Sequence, residues 1–193
     1  MSEVTLKPKV TLKRKGEAAP FTFNERLQIE MVWSSDTDLD LCLFWKTKDG
    51  KIGGVFSDGY NQNKDDLGSL DKFPFILHMG DAKTPRPGGE ENEVIKVKNI
   101  DALSELYVIV LNYDAAIDNE NVTFSEYSGK VEITTDTGDN FEVPVDDNKA
   151  GHVYVVCKIE NADAGKKAIN EGRVLTLGQA FSQIPGFSLI TNS

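Results

Sequence analysis

Only two cysteines and two histidines occur in the 193 residues. Cys42 and Cys157 each lie within an apolar strand pattern, and the opening MSEVTLKPKV lacks the apolar core of a secretory leader. Both are therefore expected to be reduced core thiols of a cytoplasmic protein; a disulfide would require their strands to pack face to face. Two cysteines and two widely separated histidines are too few for a tetrahedral zinc site. No apolar run is long enough to cross a bilayer, so no stable membrane insertion is expected. Positive charge is also in short supply: 21 Lys and Arg stand against 31 Asp and Glu, a net charge of −10. That balance argues against general nucleic-acid binding, which rests on phosphate neutralisation, and it permits cation binding. A phosphate-binding loop, a nucleophile elbow and a dinucleotide fingerprint are all missing. Helical signals are weak. NIDALSEL (99–106) offers at most two turns, and NADAGKKAIN (161–170) is interrupted by Gly165.

What the chain does have is period-two alternation. VTLKPKVTLK sets Val4, Leu6, Val10 and Leu12 against threonines and lysines, with Pro8 marking an edge. RLQIEMVW alternates Leu27, Ile29, Met31 and Trp33 with polar residues. LYVIVLN (106–112) is continuously apolar, as a central strand covered on both faces would be, and HVYVVCKI (152–159) is a further buried strand. KVEITT and NFEVPV flank DTGD, a hairpin signal because Gly138 supplies the positive φ of a tight turn. Nine or ten short strands separated by turn signals, with no linker and no repeat, predict one domain over 1–193. Its fold class is all-β: a β-sandwich of two mainly antiparallel sheets with a few short helices. Trp33, Leu41, Leu43, Trp45, Val108, Val110, Val155 and Val156 are expected in its core. Residues 1–15 carry five basic groups against one acid, a net of +4 that leaves −14 on the rest. The basic start is expected to be a solvated edge strand, where lysine deters further pairing.

The stretch VWSSDTDLDLCLFW (32–45) poses the functional question. Alternation places Leu39, Leu41, Leu43 and Trp45 on one face, and Asp36, Asp38, Asp40, Cys42 and Phe44 on the other. Side chains two apart on a strand are only ~6.6 Å apart along it, so like charges there repel unless a cation sits between them. Further oxygen donors crowd SDGYNQNKDDLGSLD (57–71) and HMGDAKTPRPGGEENEVIKV (78–97), which overlap the two longest irregular stretches, 57–73 and 80–92. Ca²⁺ takes six to eight such oxygens. The spacing is not that of an EF-hand. Against the calcium reading stands a plain one, in which the acids are solvated loop residues and Asp36 and Asp38 only lead into a strand.

WSSDTDLDLCLFWKTKDGKI, VFSDGYNQ and HMGDAKTPRPGGEENEVIKV together resemble the TerD-like tellurium-resistance and stress-protein family. LYVIVLNYDAAIDNENVTF and GRVLTLGQAFSQIPGFSLI extend the resemblance, which runs over residues 4–187. The loop closes on EENE where the family usually has two aspartates and a glutamate, as in a divergent member. The resemblance implies a Ca²⁺-binding β-sandwich of the bacterial cytoplasm, tied to tellurite and other stresses. It assigns ion ligation to Asp38, Asp40, Asn61, Asp81, Glu91 and Glu93. A non-enzymatic interaction or stress module with protein partners accounts for the acids, the negative charge and the missing catalytic motifs. Two other classes stay open: a metal-free acidic scaffold, and a hydrolytic enzyme working through His78 and the carboxylates near it.

Overall fold

The computed structural model describes residues 3–57, 67–80 and 91–190. Among them, strands run over Val10–Thr11 (β1), Ala18–Phe21 (β2), Leu27–Trp33 (β3), Asp40–Thr47 (β4), Ile52–Val55 (β5), Gly68–Ser69 (β6) and Ile76–His78 (β7). Glu91–Val97 (β8), Leu103–Leu111 (β9), Gly129–Thr135 (β10), Asn140–Val145 (β11), Val153–Ala162 (β12) and Gly165–Leu175 (β13) follow. Two short α-helices, Tyr113–Asp118 (α1) and Leu177–Gln183 (α2), and 3₁₀ turns at Phe124–Tyr127 and Phe187–Ile190 complete the described elements. One sheet has the order β1-β11-β10-β3-β8-β7-β6 and the other β2-β13-β12-β9-β4-β5. The named pairings are antiparallel except the short β1–β11 pair. The molecule is the all-β sandwich that the alternation predicts, with more strands than the nine or ten expected. No helix among the described residues is long and apolar enough to cross a membrane.

Two apolar layers explain which strands alternate and which do not. Between the sheets lie Ile29, Leu41, Leu43, Ile95, Val108, Val110, Ile133 and Val143. On the far side of the second sheet, Cys42, Phe44, Ile109, Leu111 and Val155 are covered by Ile184, Phe187 and Ile190 from the C-terminal segment. The rings of Phe44 and Phe187 lie 5.4 Å apart. β4 and β9 are therefore apolar on both faces, while strands of the first sheet keep a polar outer face. All eight residues expected in the core are buried.

At 161–170 the chain departs from the sequence reading. It is the β12–β13 hairpin, with Gly165 at φ 131° in the turn, and not an interrupted helix. The NIDALSEL stretch is a turn that enters β9 at Leu103. β12 also carries a bulge: Val155 pairs with Ile109 and Cys157 with Val108, so Val156 is inserted between them. Val156 and Cys157 consequently share the inter-sheet layer, whereas Cys42 faces the C-terminal segment. The two thiols stand on opposite sides of one sheet, and neither forms a disulfide. Burial, with the nearby Glu171 charge adding to it, pushes the Cys157 thiol up to about 12.

The basic N-terminal segment lies along a sheet edge, as expected of solvated edge lysines. Lys9 bridges Glu132 and Glu142. Lys7 donates to Asp139 at 2.8 Å, and the Thr22 amide donates to the same carboxylate at 2.9 Å. Burial opposes ionisation of Asp139, but the Lys7 ammonium and the Thr22 amide outweigh it and hold the carboxyl below its usual 3.8.

Three outcomes follow from this packing. Leu43→Ala should cost about 2–5 kcal/mol in urea unfolding, the range for a buried leucine; a loss below half a unit would place Leu43 outside the core. Native protein should react slowly at both cysteines with a thiol reagent, and quickly once denatured. A depressed carboxylate pKa stabilises above the unfolded value and is lost as pH falls through the folded one. Asp139→Asn should therefore weaken the protein at pH 6 and reduce the further loss that the parent shows on acidification below 3.8. Parallel unfolding curves for the two proteins at pH 6 and in acid would remove Asp139 from that role.

Candidate functional site

The site is built on a mismatch in strand length. β4 pairs with β9 from Asp40 to Thr47, but with β5 only from Leu43 to Lys46. Leu41 lies beyond the β5 ladder, in the core, where a peptide group left without partners costs about 1–3 kcal/mol. Side chains from the opposite sheet take the place of the missing strand. The Leu41 N–H donates to Glu93 Oε2 at 2.7 Å, and His78 Nε2 donates to the Leu41 carbonyl at 2.8 Å. Glu93 and His78 are 3% and 1% exposed, which makes them the polar exception on inner faces otherwise occupied by Ile95, Val97 and Ile76.

The His78 ring is committed at both nitrogens. The Gly80 N–H donates to Nδ1 at 3.0 Å, so Nδ1 is the acceptor and the ring proton sits on Nε2, facing Leu41. Glu93 Oε2 lies 3.7 Å from Nε2, beyond a hydrogen bond. One imidazole thus ties the end of β7 to the start of β4, and one carboxylate ties the start of β8 to the same residue.

Around this bracket stand the sequence-predicted ligands that the structure describes. Asp40 is buried, and Ser57 Oγ, just past β5, donates to its Oδ1 at 3.4 Å. Asp36 and Asp38 do not lie on the strand, as the alternation had placed them. They are exposed in the 34–39 loop, which β4 leaves behind only at Asp40. That loop is shaped by Trp33 Nε1 donating to the Thr37 carbonyl at 2.9 Å and by the Thr37 N–H on Ser35 Oγ at 2.9 Å. Glu91 is half-buried and sits opposite Trp33 across β8–β3. Asn92 points to the outer face, where it donates to Glu30 at 3.2 Å. Asn61 and Asp81 lie outside the described residues. The segments that carry them, 58–66 and 81–90, are entered from Ser57 and Gly80, both tied to this end of the sandwich by the hydrogen bonds just given. Among the described residues, no three His, Cys, Asp or Glu side chains form a group that could hold a metal ion.

The donors at this end are carboxylates and peptide groups. Such hard oxygens suit Ca²⁺, and the one imidazole present is already engaged on both sides. Sequence reasoning singled out Asp40 and Glu93, but it put Asp36 and Asp38 on the strand and missed the bracket. Its only trace in the sequence is a histidine closing an apolar strand and a glutamate on the inner-facing parity of VIKV.

No family model matches the chain, and no curated protein matches it. Solved structures share its fold, two of them as follows. A homologue of the telluride resistance protein TerD from Streptomyces coelicolor A3(2) superposes with a TM-score of 0.51 at 13% identity, over 79% of this chain and 91% of that one. A protein of unknown function superposes with a TM-score of 0.53 at 14% identity, over 82% of this chain and 95% of that one. At such identities the likeness is one of fold.

Proposed function

We propose that the chain is a calcium-binding β-sandwich protein of the tellurium-resistance and stress type, acting in the cytoplasm as a non-enzymatic interaction module for protein partners. The observation that carries the reading is the gathering of Asp38, Asp40, Glu91 and Glu93 at one end of the sandwich, next to the roots of the two segments that hold Asn61 and Asp81. A fold shared with a TerD homologue supports it. Among the described residues no three His, Cys, Asp or Glu side chains form a group that could hold a metal ion, so the reading requires Asn61 and Asp81 as ligands. Ca²⁺ accepts six to eight oxygen ligands in flexible geometry, and glutamate in place of aspartate changes reach without changing the donor atom.

The hydrolytic alternative needs an imidazole free to move a proton. His78 is buried with one nitrogen accepting from Gly80 and the other donating to Leu41. That arrangement weighs against general acid–base work at this residue. A scaffold that binds no metal differs from the proposal in one measurable respect, its indifference to calcium.

Thermal melts in chelator and in millimolar calcium test the reading. Calcium at a hundredfold excess over its dissociation constant should stabilise the native state by about 2.7 kcal/mol. Asp38 is exposed, so Asp38→Asn should fold normally, gain slightly in chelator from relieved repulsion, and lose most of the calcium response. No response in the parent removes the site, and equal responses in parent and variant remove Asp38 from it.

A further inference from the structure

We infer that the cleft beside the N-terminal crossing binds a small zwitterion, its N–H-bearing ammonium directed to Asn170 Oδ1, Asp146 and Asp147 and its carboxylate to Lys13 and Lys15. The inference goes beyond the calcium reading and does not depend on it. The cleft lies where residues 12–16 pass from one sheet to the other. The Leu12 N–H donates to the Glu142 carbonyl of β11, and the Gly16 N–H donates to the Asn170 carbonyl of β13. Here a cavity of about 330 Å³ receives Lys13 and Lys15 from the crossing and Asp146 and Asp147 from the chain after β11. Tyr154, Asn170 and Gly172 line it from β12 and β13.

Its buried wall carries an acceptor that the fold does not use. Asn170 is 5% exposed. Its Nδ2 donates to the Leu12 carbonyl at 2.8 Å, and because a carbonyl only accepts, this bond fixes which way the amide faces. Oδ1 has no hydrogen-bond partner among the described residues, a condition that buried polar groups rarely keep. A bulge aims it: β13 sets Glu171 and Gly172 against Val156 alone. Gly172 has φ 52°, and a Cβ there would stand 3.0 Å from Asn170 Oδ1, 3.7 Å from Lys15 Cβ and 4.0 Å from Tyr154 Oη. Three lining side chains thus converge on the corner that glycine leaves open. Lys15 is exposed, so this wall of the corner can swing aside without backbone movement.

An oxygen that only accepts requires a ligand that donates. Burial first, then the Asp147 and Asp146 charges, hold the Tyr154 phenol above its usual 10, against the Asp146 N–H, so the hydroxyl stays protonated. A positively charged N–H donor suits a wall with two carboxylates and an amide oxygen. The crossing supplies the opposite sign. Its Arg14 pairs with Glu17 at 3.6 Å, but among the described residues no ion pair joins Lys13 or Lys15 to an acid. A simple anion would meet the aspartates, and a simple cation the lysines. A molecule carrying both charges meets each with its opposite.

The test uses the full chain in chelator, so that calcium plays no part, with amide shifts read by NMR. Glycine is the probe, compared with N,N-dimethylglycine and glycine betaine. Dimethylglycine keeps one N–H at nearly the bulk of betaine; betaine keeps both charges and no N–H. Asp146→Asn and Lys15→Gln change exposed residues at the cleft. Asp163→Asn removes the same charge at the exposed β12–β13 turn and serves as control.

Glycine should give saturable shifts centred on Lys13, Lys15, Asn170 and Gly172. Dimethylglycine should bind within a few-fold of glycine, and betaine about tenfold or more weakly, as loss of a charge-assisted hydrogen bond requires. Asp146→Asn and Lys15→Gln should each weaken glycine about two- to fivefold, and Asp163→Asn should leave it unchanged. Absence of saturable shifts overturns the inference, the Asn170 oxygen then being a partner for water alone. Betaine binding as well as dimethylglycine overturns the donor role, and equal weakening in Asp163→Asn reduces the effect to net charge and overturns the site. None of these results bears on calcium binding.

Discussion

A β-strand that outlasts its neighbour leaves backbone groups stranded in an apolar core, and the end of this sandwich is organised around one such place. Leu41 has lost β5 as a partner, yet its side chain is wedged between the sheets with no exposure. Polar side chains reaching across from the other sheet satisfy it. Glu93 and His78 do so, and this forces both residues into positions where burial would otherwise disfavour them. The location of β7 and β8 relative to β4 is fixed at that point by directional bonds rather than by apolar contact, which has no preferred register.

Fold class was legible because burial leaves a period-two trace, and the central strands were legible because two apolar layers remove it. The reading failed where tertiary pairing overrode local composition. NADAGKKAIN looks helical by propensity, but it folds as a hairpin whose far strand also pairs with β2, with Ala168 and Asn170 buried. α2 was announced by a capping box that went unread: Thr176 accepts from the Gln179 amide while the Gln179 side chain accepts from Thr176.

The candidate site was legible in its chemistry and only partly in its placement. The aspartates at 36, 38 and 40 keep period two through a loop and into a strand, and an extended loop leaves the same pattern as a strand does. Pattern alone could not show that Asp40 is buried while Asp36 and Asp38 are exposed. His78 and Glu93 were harder still. Their role arises from the difference in length between β4 and β5, a relation among four strands that no local window contains.

The first strands also have an order-of-assembly consequence. β1 is paired with β11 and β2 with β13, so one short N-terminal segment is stitched to both sheets. Asn170 reinforces the seam, donating from Nδ2 to the Leu12 carbonyl. During synthesis β2 emerges long before β13, the strand it pairs with. Such sequence-distant pairings bring their contact energy only after a large loop has been closed. The β2 half of the seam therefore forms only once β13 has emerged, and a nascent chain stalled before β13 would hold β2 unfastened.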